Sequence, residues 1–249
     1  MLLARALLDA AALVAPVDCA GCGAPDRALC PACAAQLAPT PRTALLDVAP
    51  DHPPLPIVAG TAYAGAARAA LLALKEEGRT ELARPLRAPL LAALELAYAL
   101  PLAEGAVLVP VPGSRAALGR RGFQPVELLA RRAGLAVARA LELAPEPRDG
   151  RAVVQKQRSL AERTSLRSEP RVTRDLQGRR VVLLDDVVTS GATLRAAARA
   201  LARAGAAVVG GAAIAATPRR HGESAIRWHL VGALSARQGD EPGTPQRAS

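Results

Sequence analysis

The sequence predicts an α/β protein, a parallel sheet flanked by helices, with a small four-cysteine module ahead of it. Three observations carry that reading. Arg179 to Gly205, RRVVLLDDVVTSGATLRAAARALARAG, reads as a buried strand (Val181 to Leu184), a polar turn and then a helix. Ala106 to Pro112, AVLVPVP, and Ala206 to Ala216 are further apolar strands that end in turn residues, the second reached from the helix by a right-handed crossover. Cys19, Cys22, Cys30 and Cys33 precede all of this as two C-x2-C pairs seven residues apart.

Residues 1–38 form the first unit. Leu3, Leu7 and Leu8 share one helical face between residues 2 and 14, which predicts a short docking helix. The cysteine pairs each turn two sulfurs toward one point, and together they complete a tetrahedral thiolate shell with no open position, the pattern of a structural zinc site. Disulfides are the alternative, and the knuckle spacing in a chain read as cytoplasmic favours metal. A closed shell leaves no water to activate, so catalytic zinc is excluded.

Residues 39–56 hold six prolines and no periodicity, which predicts a semi-rigid linker, with His52 solvated inside it. The main domain is expected over 57–236. It opens with a strand at Ile57 to Tyr63, a helix from Gly65 to Glu77 ended by Gly78, and a second helix over Pro85 to Leu100. After the strand at 106–112 come Gly113, Ser114 and Arg115, the basic run Arg120-Arg121-Gly122, and a helix from Pro125 to about Leu141. Residues 150–175 are polar and basic, and 237–249 read as a disordered tail.

The turn in the central stretch has a definite chemistry. Thr189, Ser190 and Thr193 bring hydroxyls, Gly191 lets the backbone fold closely round an anion, and a helix that starts near Thr193 points its N–H groups and positive dipole end back at the turn. That is a phosphate seat. Asp185 and Asp186 repel an anion, so they address hydroxyls or a cation such as Mg2+. A phosphate beside a polyol describes a sugar phosphate. No Lys follows Gly191 as a Walker loop needs, and the chain has no G-x-G-x-x-G, which argues against nucleoside triphosphatase and dinucleotide readings.

Composition sets outer bounds. The chain has 249 residues, 51% of them apolar, which is ample for one α/β domain and a small module. Only 2% are aromatic, so base stacking on aromatic rings has few residues to use. The net charge of +10 suits an anionic partner, either nucleic acid or a phosphate ester; four zinc-bound thiolates would lower it to about +8. No apolar run reaches a membrane span: Leu90 to Leu102 comes nearest and carries Glu95, while Asp9 interrupts the apolar N-terminus. The expected location is cytoplasmic.

DDVVTSGAT resembles the phosphoribosyl pyrophosphate (PRPP) motif of type I phosphoribosyltransferases, and the chain as a whole resembles the ComF family, which joins a four-cysteine zinc module to such a domain. The resemblance implies the type I phosphoribosyltransferase fold, with Asp185 and Asp186 on the ribose hydroxyls. It implies too that Thr189, Ser190, Gly191, Ala192 and Thr193 enclose the 5-phosphate and that Mg2+ accompanies PRPP. It implies a phosphoribosyltransferase that moves the sugar to a nitrogen acceptor with release of pyrophosphate, in nucleotide metabolism or DNA uptake. A non-catalytic PRPP sensor, or an accessory protein that binds single-stranded DNA or competence machinery, is the alternative.

Further residues follow from the same resemblance. Tyr63, Gly65, Lys75 and Gly78 are similar to a Y-x-G...K-x-x-G pattern that implies Lys75 near the pyrophosphate; a solvated helix-end lysine is the plainer reading. VPVPGS...RRGF is similar to the pyrophosphate loop and implies contacts from Arg115, Arg120 or Arg121. The family has Asn-Gln where this chain has Gln124-Pro125. Residues 150–175, with Gln157, Leu160 and Arg163, resemble a covering loop, at compressed spacing. Arg195, Arg199 and Arg203 form a stripe, either a solvated face or a nucleic-acid surface. His221 and His229 match no pattern.

Overall fold

A computed structural model describes residues 17–50, 52–100, 103–113, 115–143, 169–218 and 226–230. The expected helix over residues 2–14, Ser114, the loop residues Gln157, Leu160 and Arg163, His221 and the 237–249 tail lie outside them.

The described elements are helix α1 (Pro31–Ala35), strands β1 (Arg42–Leu46) and β2 (Leu55–Ala62), helices α2 (Gly65–Glu76) and α3 (Ala83–Tyr98), and strand β3 (Val107–Pro110). Helices α4 (Arg115–Arg121) and α5 (Pro125–Arg132) follow, then strands β4 (Leu141–Glu142), β5 (Arg171–Val172) and β6 (Arg180–Val188), helix α6 (Ala192–Arg203), and strands β7 (Ala207–Ala216) and β8 (His229–Leu230). Six strands make one sheet in the order β3-β6-β7-β2-β1-β8, while β4 and β5 pair separately. The four strands from β3 to β2 are parallel, and β1 runs antiparallel to both β2 and β8. This is the mixed α/β, mostly parallel architecture expected from the sequence.

Strand β6 is a continuous apolar run because a central parallel strand is covered on both faces. Val182 and Leu184 pack with Leu86 and Leu90 of α3 on one side, and Val181 and Leu183 with Leu194 and Leu201 of α6 on the other. With few aromatics, the core closes by bringing backbones near each other. Gly60 shows how near: a Cβ there would stand 1.8 Å from the carbonyl oxygen of Pro89, so α3 rests directly on the β2 main chain.

Three expectations need correction. Residues 39–56, expected as a semi-rigid linker, hold a strand of the sheet, Arg42–Leu46, in register with Leu55–Ala59. The prolines dominate that stretch by composition, yet Ala44 and Leu46 alternate inward across a short proline-free window. The helix from Pro125 stops at Arg132 instead of Leu141, with Gly134 at φ 73 just beyond it. The chain then runs beside β3, Ala138 N–H donating to Leu108 O at 2.8 Å, before β4. Finally, β6 continues to Val188, so both aspartates belong to the strand and the turn begins at Thr189.

Candidate functional site

The strand ends that carry the site are tied together. Beyond β3, Val111 N–H donates to Leu184 O at 2.8 Å, which brings Pro112 and Gly113 alongside the aspartates of β6. On the other side Thr217 N–H donates to Val188 O at 3.0 Å and Tyr63 N–H to Ala216 O at 2.7 Å. The ends of four neighbouring strands therefore share one rim, the carboxyl edge where ligands of open α/β sheets bind.

Asp185 and Asp186 are both half-buried on this rim. The Asp185 carboxylate accepts the N–H of Asp186 at 2.8 Å, a charge-assisted bond that fixes its rotamer. Asp186 instead meets a cation: Lys75 Nζ lies 2.8 Å from its Oδ1, with the two side chains 21% and 20% exposed. Adjacent carboxylates repel, and a shared low-dielectric rim makes a counter-ion necessary. The sequence placed Lys75 near this region through the family pattern alone; the structure puts it on the second acid.

The turn that follows is held by its glycine. Thr189 and Ser190 are exposed, whereas Gly191 is buried at φ 72, in the left-handed region. A Cβ on Gly191 would stand 2.6 Å from Leu46 Cδ1 and 2.9 Å from Ile226 Cδ1. Both conformation and space demand glycine. Gly191 caps α6, its carbonyl accepting Arg195 N–H at 2.9 Å, and Ser190 Oγ lies 3.4 Å from Ala192 N. Thr193 is half-buried in the first turn of α6, the end of a helix where N–H groups lack intrahelical partners. The five residues from Thr189 to Thr193 are thus contiguous with the acid pair, on the same rim.

Across from them, Gly113 N–H donates to Gln124 Oε1 at 3.3 Å and closes the loop that spans α4. Gln124, the point of departure from the family pattern, therefore pins the loop from its far end. The arginines divide. Arg121 is engaged with the protein, Nε donating to Ala117 O and Nη1 to Lys75 O, each at 3.1 Å, while Arg120 is exposed. Arg115 starts α4. A cavity of about 1130 Å³ opens between Gly113, Gln124, Leu128, Arg131, Leu141 and Arg174. None of its lining residues comes from the 185–193 segment.

The arginine stripe of α6 also has internal partners. Arg195 Nε donates to Asp47 O at 2.9 Å, Arg199 Nε meets Glu169 Oε1 at 3.3 Å, and Arg203 pairs with the other oxygen of Glu169. These side chains fasten α6 to the stretch after β1 and to Glu169, and are only in part a solvated face. His229 pairs in β8 with Thr43.

The four sulfurs of Cys19, Cys22, Cys30 and Cys33 lie within 4.8 Å of one another, and all four cysteines are free thiols. Cys22 Sγ and Cys30 Sγ are 3.7 Å apart, close to the edge of about 3.8 Å that Zn–S bonds impose on a tetrahedron. Cys30 N–H donates to Cys19 Sγ at 3.2 Å and Cys33 N–H to Cys30 Sγ at 3.4 Å, the backbone donors expected around thiolates. Burial pushes the Cys19 thiol up, but the N–H groups of Cys30, Cys22 and Gly21 outweigh it and bring its pKa to about 6. Cys33 goes the other way, up to about 12, through burial and its neighbouring thiols. Four sulfurs at this spacing with backbone N–H donors around them make a donor set compatible with zinc.

This cluster is seated on α2. Ala66 N–H donates to Gln36 Oε1 at 3.3 Å, Arg79 Nη2 to Asp18 O at 2.9 Å, and Cys33 and Leu37 share a core with Leu71 and Leu74. No helix among the described residues is long and apolar enough to cross a membrane.

The acid pair on a parallel strand is thus followed at once by a glycine turn and a helix N-terminus, with a four-thiol module docked beside the domain. In comparison with known proteins, residues 116–231 match the phosphoribosyl transferase domain family. Adenine phosphoribosyltransferases of Mycobacterium avium (strain 104) and of Mycolicibacterium paratuberculosis (strain ATCC BAA-968 / K-10) are each 55% identical to the chain over 40 residues. That is 16% of this chain and 22% of either relative, so the chain spans about a fifth of the length of the curated relatives it matches. The chain is phosphoribosyltransferase-like.

Proposed function

We propose that this protein binds PRPP at the end of β6 and transfers its phosphoribosyl group to a nitrogen acceptor. The observation that carries the reading is the continuity of Asp185 and Asp186 with the Thr189–Thr193 turn, within the span that matches the transferase family. In this reading the carboxylates accept the ribose hydroxyls, and Thr189, Ser190, Gly191, Ala192 and Thr193 hold the 5-phosphate with hydroxyls and N–H groups. The bond from ribose C1 to pyrophosphate breaks with its electron pair leaving on the pyrophosphate oxygen. The acceptor nitrogen gives its lone pair to C1, and its proton passes to water or buffer. Between these events C1 resembles an oxocarbenium ion, so catalysis rests on positioning and on charge.

Mg2+, when bound with PRPP, neutralises the departing pyrophosphate. In this reading Gly113 and helix α4 support the pyrophosphate half of the ligand, and Arg120 is exposed to reach it. Zinc in the four-thiol cluster is structural, since a closed thiolate shell offers no coordination site. The pairing of such a module with this domain supports placement in the ComF family, and through it a role in nucleotide use or DNA uptake in the cytoplasm.

A screen of nucleobases and amines for PRPP-dependent release of pyrophosphate tests the reading. Release with at least one acceptor is expected, and it should disappear without Mg2+. Tight PRPP binding with no release for any acceptor would favour the non-catalytic sensor, and no binding at all removes both. The single-stranded DNA reading draws on the family resemblance and on a basic surface, and the engagement of Arg195, Arg199 and Arg203 with Asp47 and Glu169 weakens the second of these.

A further inference from the structure

Lys75 touches both halves of the site. Its ammonium is on Asp186 at 2.8 Å, and its backbone carbonyl accepts Arg121 Nη1 from the opposite loop at 3.1 Å. The main chain of Lys75 is therefore fixed between the acid pair and α4, while the ammonium sits on a flexible four-carbon stem that can turn either way. Both partners of the ion pair keep about a fifth of their side-chain surface exposed, so a ligand can reach them.

The pair as it stands conflicts with the chemistry of the site. A carboxylate neutralised by an ammonium at hydrogen-bond distance does little for a cation developing at ribose C1, and it holds one fewer lone pair for a hydroxyl. A pyrophosphate arriving at the Gly113 loop carries far more negative charge than Asp186 and competes for the same ammonium. Movement of Lys75 Nζ from Asp186 to a phosphate oxygen would resolve both conflicts. The carboxylate is freed for the sugar at the moment the leaving group gains its cation.

We infer that Lys75 is a specificity-determining residue that exchanges partners, Asp186 in the empty site and the pyrophosphate of PRPP in the filled one, so that the site discriminates PRPP from ribose 5-phosphate. The inference rests on the proposed PRPP site and concerns how that site reads the second half of its ligand.

Calorimetric titration of the full chain with Mg–PRPP and with ribose 5-phosphate, for wild type, Lys75→Met and Lys75→Arg, tests it. Lys75→Met should weaken PRPP by about tenfold or more, the scale of a lost hydrogen bond to a charged group. Ribose 5-phosphate should bind the same variant as well as wild type or better, since Asp186 is released. Lys75→Arg should recover part of the PRPP affinity, and it keeps the experiment informative if a thermal melt shows that Lys75→Met does not fold. Parallel loss of both ligands, as a merely structural ion pair predicts, overturns the inference, and so does unchanged PRPP affinity. Wild type that binds ribose 5-phosphate but not PRPP defeats the partner exchange alone, whereas wild type that binds neither defeats the site reading beneath it.

Discussion

Gly191 is wedged against Leu46: the place its missing Cβ would occupy is 2.6 Å from Leu46 Cδ1, although 145 residues of sequence separate the two. The contact joins the turn of the proposed phosphate seat to a strand on the far side of the sheet. It makes the turn's shape a property of the whole fold.

Gly191→Ala should therefore cost about 2–5 kcal/mol, combining about 1–2 kcal/mol for a non-glycine residue in the left-handed region with about 1–3 kcal/mol for overpacking. Urea unfolding measures it. Adding Leu46→Ala should return the overpacking part but not the backbone part, so a fully additive double mutant would show that the two residues do not meet.

Asp185→Asn with Asp186→Asn should leave the melting temperature within a few degrees of wild type and remove PRPP binding. The neutral amides keep the shape and lose the charge that accepts ribose hydroxyls. Calorimetry that returns wild-type affinity would refute the assignment of these residues to the sugar.

The cysteine cluster should hold one zinc per chain by elemental analysis. Cys30→Ser should release it and lower hydrogen-exchange protection across residues 17–40 and at Ala66, whose N–H is bonded to Gln36. Wild type purified without zinc, or full protection in the variant, would contradict a metal-held module.

What the sequence made legible was local. The β6 strand, its turn and α6 could be read because every signal lies within 27 consecutive residues, and the cysteine pairs because spacing alone defines them. Strand β1 was hidden among prolines, since its reason to exist is pairing with β2 and β8, a long-range property that composition does not carry. The helix expected from Pro125 to about Leu141 ends at Arg132, and only Gly134, readable in principle as a stop signal, marks that end in the sequence. The site's cations were the hardest. Lys75 and Arg121 each had a solvated or ligand-facing reading, and neither could be matched to Asp186 or to a main-chain carbonyl until α2 and α4 were set against each other.

Helix α2 has the thiol cluster docked at its first turn and Lys75 at its last, so its twelve residues act as a ruler between them. Removing any single residue from that span would swing the ammonium about 100° around the axis, away from the carboxylate it now meets. Length and phase are thus fixed along a stretch of alanines and leucines whose individual identities look interchangeable, and natural variation there should favour replacement over insertion or deletion.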